Sequence, residues 1–307
     1  MKRGLPIALL MFAVLIAVTG CSKPVNQDTT GHDSGGHGSH GESAASGGPA
    51  KGGGTQPSGN GDHADNHSGH SGQDTAAADT TKAIWKLSAD KPQPKSDVTV
   101  TVTIQDAQGR AVDKFDINHE KKMHLIIVSK DLSYFDHIHP EYKGEGRFEV
   151  TTQFPAAGDY KLIADYMPTG GAAATQTNWV TVSGNAAAPA AVVADQTLVK
   201  TVAGKEVTLA FDHLMAGMDT NMTFHITDQA TKKPVTDLQP YLGAVGHVVI
   251  LSADTEQYLH VHPTDEKAKG PDAKFMTKFP KSGVYKIWGQ FQQNGQTFIV
   301  PFVVNVP

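Results

Sequence analysis

The stretch HLIIVSKDLSYFDHIHP, residues 124–140, recurs as HVVILSADTEQYLHVHP, residues 247–263. Both read His-x12-His-x-His-Pro, with no insertion between the histidines. An apolar run follows the first His. A polar tetrad comes next (Lys130–Ser133; Ala253–Glu256), and then a short β-prone run that ends in His-x-His-Pro. This is the pattern of a β-hairpin, used twice. Side chains alternate along a strand, so His137 and His139 share a face, as do His260 and His262. If Lys130–Ser133 closes the hairpin, Ser129 pairs with Tyr134 and His124 falls opposite His139; the same count sets His247 opposite His262. Directly paired residues have Cβ atoms about 4.5–5.5 Å apart and diagonal ones about 7–8 Å. A slip of one residue would turn His124 to the other face.

Outward from the first hairpin, Ile84-Trp-Lys-Leu87 reads as a short strand, and Val98, Val100, Val102 and Ile104 alternate with threonines. Phe148–Phe154 alternates again, Gly158–Tyr166 places Tyr160, Leu162, Ala164 and Tyr166 on one face, and Trp179–Val182 closes the unit. Seven short strands with regular turn signals in about 100 residues make the pattern of an immunoglobulin-like sandwich. A second unit repeats the order. Val207–Phe211 matches the first strand, Thr223–Thr227 the second, and Ser282–Phe291 the Gly158–Tyr166 segment, with Thr297–Val306 last. Pro301 cannot donate to a ladder, so that last strand belongs at an edge or carries a bulge. Tyr160 and Tyr285 stand where a tyrosine corner would. The expectation is all-β: two tandem immunoglobulin-like β-sandwiches, residues 82–184 and 195–307, joined by a linker at 185–194.

The N-terminal part has a different composition. Met1-Lys2-Arg3 is a basic n-region and Leu5–Ala17 an apolar h-region too short to span a bilayer. Val18-Thr-Gly-Cys21 looks like a bacterial lipobox and holds the single cysteine of the chain. Residues 1–20 are therefore expected to be a lipoprotein signal peptide, cleaved before a lipid-modified Cys21, with the lipid as the membrane partner and an extracytoplasmic location. Two or more acyl chains anchor stably. Residues 21–81 lack hydrophobic periodicity and are rich in Gly, Ser, Asp and His, the composition of a disordered tether. A flexible chain of that length has an r.m.s. span of roughly 40–45 Å. The tether carries His32, His37, His40, His63, His67 and His70, a density suited to loose chelation.

Three imidazoles within reach of one another, twice, point to ion binding, since imidazole suits Zn, Cu and Ni. The candidate ligands are His124, His137 and His139 in one hairpin and His247, His260 and His262 in the other, with a copper or zinc ion expected at the end of each sandwich. The alternative is that the histidines are partly buried and only hold the hairpins, making the chain a structural or partner-binding module of the envelope. His213, Met215, Met218 and Met222 form a secondary soft-metal candidate because thioethers select Cu(I); the alternative is that Met222 or Met215 fills the sandwich end. His119 and His225 carry no role on spacing alone. A formal charge of −5 speaks against a nucleic-acid partner. There is no Ser or Cys nucleophile motif, phosphate loop or paired-carboxylate signature, so no enzyme is expected.

The motif from His124 to Pro140, with Phe154-Pro155 and Gly158-x-Tyr160, resembles the YtkA-like domains of secreted and lipid-anchored bacterial proteins, and more loosely the CopC-like copper-resistance sandwiches. The first resemblance implies an extracytoplasmic β-sandwich and the second copper handling. No His-rich N-terminal site of the CopC type stands at the start of either unit.

Overall fold

The computed structural model describes residues 80–307, and every regular element among them is a β-strand. The signal peptide, Cys21 and the histidine-bearing tether lie outside the described residues. The first sandwich contains β1 (Lys82–Leu87), β2 (Asp97–Gln105), β3 (Met123–Ser129), β4 (Phe135–Ile138), β5 (Glu141–Tyr142), β6 (Arg147–Gln153), β7 (Gly158–Tyr166) and β8 (Ala174–Val182). The second contains β9 (Val199–Val202), β10 (Lys205–Phe211), β11 (Asp219–Asp228), β12 (His247–Ser252), β13 (Tyr258–Val261), β14 (Asp272–Lys278), β15 (Gly283–Gln293) and β16 (Gln296–Val306). Each sandwich pairs two four-stranded antiparallel sheets, ordered β1-β2-β6-β5 and β4-β3-β7-β8 in the first, β14-β11-β10-β9 and β13-β12-β15-β16 in the second. The chain is thus a tandem of immunoglobulin-like β-sandwiches. The sequence reading missed β5, β14 and β9, the last of which forms a hairpin with β10 through Ala203 and Gly204, both at positive φ.

Several local expectations are met. β16 is an edge strand, and Pro301 sits in it opposite Trp288. The hydroxyls of Tyr160 and Tyr285 donate to the carbonyls of Ala156 (3.0 Å) and Lys281 (2.8 Å), tyrosine corners that fasten the start of β7 and β15. Both hairpins have the counted register. Leu125 pairs with Ile138 and Ile126 with His137, so His124 comes opposite His139. Val248 pairs with Val261 and Val249 with His260, so His247 comes opposite His262. The two turns are alike: Ser129 Oγ and Ser252 Oγ each donate to an Asp two residues on, Asp131 and Asp254, and accept from the backbone N–H of Tyr134 and Gln257.

β2 alternates between core and surface, but β3 and β12 are buried along nearly their whole length. Leu125 and Ile127 enter the first core, and Val248 and Ile250 the second. The opposite faces, Ile126 and Val128 with Val249 and Leu251, join Leu132, Ile163 and Trp288 in a third apolar cluster that lies between the sandwiches. Both faces of the sheets that contain β3 and β12 are therefore covered, one by the sheet's own sandwich and one by the other repeat. Phe135 of the first repeat stacks on Trp288 of the second, with centroids 4.7 Å apart and planes at 15°.

The polar contacts across this seam are reciprocal. Lys161 Nζ on β7 donates to the Thr255 carbonyl in the second hairpin turn (2.6 Å), and Lys286 Nζ on β15 donates to the Leu132 carbonyl in the first (2.7 Å). The repeats meet as the halves of an isologous dimer do. The linker is held there as well, with Ala190 N–H donating to Asp131 and Val192 packing against the seam.

Removing the largest side chain of the seam tests this arrangement. Trp288→Ala is expected to destabilise the protein by about 3–5 kcal/mol and to split one cooperative guanidinium transition, followed by tryptophan fluorescence and circular dichroism, into two. A single undiminished transition would show that the seam does not couple the repeats.

Candidate metal centre

The hairpin register sends all six candidate histidines to the outer face of the sheet, the face that the other repeat covers. They do not form a separate site at the end of each sandwich, as the spacing suggested. They meet in one cluster between the repeats. The ring of His124 lies 5.0 Å from that of His260 and 6.3 Å from that of His247, and the ring of His137 lies 5.5 Å from that of His260. Within each hairpin the neighbouring rings lie 4.6–5.7 Å apart. His119, set aside on spacing alone, reaches the cluster from a first-repeat turn in which it and Glu120 have positive φ, and stacks on His262 at 3.6 Å.

Backbone geometry places the ligands of the second hairpin. Gly246 precedes His247, and a Cβ there would fall 2.5 Å from the Phe291 ring and 2.6 Å from the Gln290 carbonyl. Only glycine lets β12 begin flush against β15, which sets His247 beside Gln290 in the ladder. At the equivalent place in the first repeat, His124 is paired with Asp165. Sequence reasoning missed both Asp165 and Gln290, since each contacts the middle histidine of the opposite repeat. His260 Nδ1 bonds Asp165 Oδ2 at 2.9 Å, and His137 Nδ1 bonds the Gln290 amide at 3.0 Å.

The acceptors fix the tautomers. A carboxylate only accepts, so His260 carries its proton on Nδ1 and keeps the Nε2 lone pair. His247 Nε2 donates to the Leu242 carbonyl (3.4 Å) and keeps the Nδ1 lone pair. His124 Nε2 likewise donates to the Asn118 carbonyl (2.9 Å), and its Nδ1 then accepts from His137 Nε2 at 2.9 Å.

Among the described residues, four buried side-chain polar atoms have no hydrogen-bond partner: His139 Nε2, His247 Nδ1, His260 Nε2 and His262 Nε2. All four belong to this cluster. A buried polar group without a partner is destabilising by about 1–3 kcal/mol, so such atoms call for a reason. Two triads have one ligand atom each within 4.8 Å of one another, His124 with His137 and His260, and His247 with His260 and His262. Nitrogens bound to one ion at about 2.0–2.1 Å stand roughly 3.3–3.6 Å apart, so modest ring movements would close either triad.

Burial holds these imidazoles neutral, and the neighbouring rings act in the same direction. His124, His137, His260 and His262 are all lowered from the usual 6.5, and His139 and His247 are lowered to about 3. The lone pairs are therefore not contested by protons even in mild acid.

The other proposed ligand set is divided between core and surface. Met222 is fully buried in the second core on β11, whereas Met215 and Met218 are 50% and 48% exposed. His213 Nδ1 faces its neighbour Asp212 at 3.0 Å. Met222 fills the core because strand alternation turns it inward with Phe224, away from the loop that carries the other three.

With the geometry established, relatives place the chain. No curated protein matches it. The solved structures it resembles include the Escherichia coli adhesin FdeC, at 20% identity over 76% of this chain and 66% of that one, with a TM-score of 0.26. A two-domain fibronectin type-III segment of chicken tenascin matches at 11% identity over 74% of this chain and 99% of that one, with a TM-score of 0.23. The Yersinia pseudotuberculosis adhesin InvE matches at 10% over 74% and 59%, with a TM-score of 0.23. The chain spans just under two thirds of the FdeC structure, and the likenesses are of fold. The family match names neither the YtkA-like nor the CopC-like group that the hairpin motif resembles. It covers residues 76–184 and again 200–307, so the chain belongs to the family described as Domain of unknown function (DUF8832), of which it carries two copies.

Proposed function

We propose that the protein binds a transition-metal ion, copper or zinc, among the histidines between its two immunoglobulin-like repeats. The observation that carries this is the set of four buried imidazole nitrogens without hydrogen-bond partners, all in one cluster. A fold that needed these rings only as spacers would be more stable with apolar side chains in their place. A bound ion gives the lone pairs a partner, and neutral imidazole is the form that binds it. The chain holds the ion in a dry seam, donates neutral nitrogen ligands and shields them from protons. With the lipobox-like Cys21 as an anchor, the reading places this site outside the cytoplasmic membrane, and the tether histidines gather ions for it.

A second reading has a specific observation of its own. The apolar seam and the paired lysine contacts fix the repeats rigidly, which suits a non-catalytic structural or partner-binding module of the cell surface. The unpartnered nitrogens separate the two readings, because a purely structural role gives them no purpose.

Calorimetric titration of residues 82–307 with Zn(II), Cu(II) and Cu(I) tests the metal reading. Tight binding is expected, and its loss when His137, His139, His260 and His262 are replaced by Ala in a variant that still folds. A wild-type protein that takes up no ion would leave the structural reading. Acid stability provides a second check. The folded-state values of these histidines lie below their unfolded value near 6.5, so between pH 6.5 and about 3 the unfolded chain binds more protons. Stability is thus full above pH 6.5 and is lost as pH falls. Each fully shifted imidazole removes up to about 1.4 kcal/mol per pH unit. Melting temperature of the metal-free protein should drop steeply from pH 6.5 to 4.5, and a flat profile would contradict the buried neutral cluster.

A further inference from the structure

The two halves of the cluster are built alike and finished differently. Asp165 and Gln290 occupy the same ladder position, each beside the first histidine of its own repeat's hairpin. Each reaches across the seam to the middle histidine of the other repeat. In one half a carboxylate accepts a hydrogen bond from His260 Nδ1–H, and the Tyr258 hydroxyl donates to the same oxygen at 3.2 Å. In the other half a neutral amide meets His137 Nδ1.

The consequences differ. Asp165 leaves His260 Nε2 free, a nitrogen that both triads share, but only in the triad with His247 and His262 does every member keep an unpartnered nitrogen. A carboxylate behind a ligating imidazole fixes the tautomer, orients the ring and raises its basicity. Gln290 supplies no such charge, and His137 Nε2 is occupied by a hydrogen bond to His124 Nδ1. An ion there would first have to break that bond and invert the His137 tautomer.

We propose that the protein holds a single ion off-centre, on His247, His260 and His262 of the second repeat, with Asp165 of the first repeat as the positioning residue, and that Gln290 keeps the His124 and His137 pair from drawing that ion to the other triad. This rests on the metal reading above. It makes the centre a property of the docked pair, since the ligands come from one repeat and the carboxylate behind them from the other.

The test uses the full chain with His32, His37, His40, His63, His67 and His70 changed to Ala, so that the tether does not compete. Zn(II) is titrated by calorimetry, and Co(II) serves as a probe whose visible absorption reports the ligand set. The unaltered core should take one ion. Asp165→Asn should bind 10–100-fold more weakly with a changed Co(II) spectrum. Gln290→Asp, which gives His137 the same support, should make His124 and His137 compete for the shared His260 nitrogen, changing the Co(II) spectrum while the stoichiometry stays at one. His262→Ala should abolish the tight site, and His124→Ala should leave it. Two equal ions in the unaltered core, or an Asp165→Asn protein that binds as tightly as its parent, would overturn the proposal while leaving metal binding intact. If Asp165→Asn does not fold, the stoichiometry of the parent and the contrast between His262→Ala and His124→Ala decide. No ion bound by the parent would remove the metal reading itself.

Discussion

The structure depends on burying the outer faces of two sheets against each other. In an isolated sandwich the β4-β3-β7-β8 sheet would expose Ile126, Val128, Ile163 and its hairpin histidines to water, and the other repeat would expose Val249, Leu251 and Trp288. Joining them removes these side chains from water and leaves a dry seam in which a polar group must be partnered or be unfavourable. The reciprocal lysine contacts follow from that requirement. Each hairpin turn points a carbonyl into the seam, and each receives an ammonium from the facing sheet.

The same seam determines the chemistry of the histidines. On a solvated hairpin they would titrate near neutrality and hydrogen-bond to water. Between the repeats burial favours the neutral form, carbonyls together with Asp165 and Gln290 set tautomers, and His247, His260 and His262 lie in one triad while His139 stands outside both. Desolvation, not any single neighbour, is the largest influence on each ring. Duplication gave the two halves the same skeleton, and the Asp165 and Gln290 pair shows that they have diverged within it.

Much of the fold was legible. Period-two alternation identified β2, the two tyrosine corners marked β7 and β15, Pro301 marked an edge, and the loop count predicted both hairpin registers. β9 was missed because Val199–Val202 is too short to show a period. One signal went unused. HLIIV and HVVIL are apolar at every position after the histidine, whereas VTVTVTI alternates, and continuous apolarity means a strand covered on both faces. That run contained the inter-repeat seam. His119, Asp165 and Gln290 left no such trace, because a turn histidine and single polar residues inside strands look alike whether they face solvent or a partner. The Met and His loop illustrates the opposite, since composition grouped Met222 with residues from which strand alternation separates it.

Sequence by itself determined most of the strands, the register of both hairpins, the duplication and the sharing of one sheet face by the histidines of each hairpin, because these follow from local periodicity and loop length. The tertiary structure alone decided that the two histidine faces meet, that the ligands and the carboxylate behind them come from different repeats, and which nitrogens keep their lone pairs. Those outcomes depend on how two distant surfaces pack and on which acceptor reaches which ring, and neither is encoded in the spacing of residues along one strand.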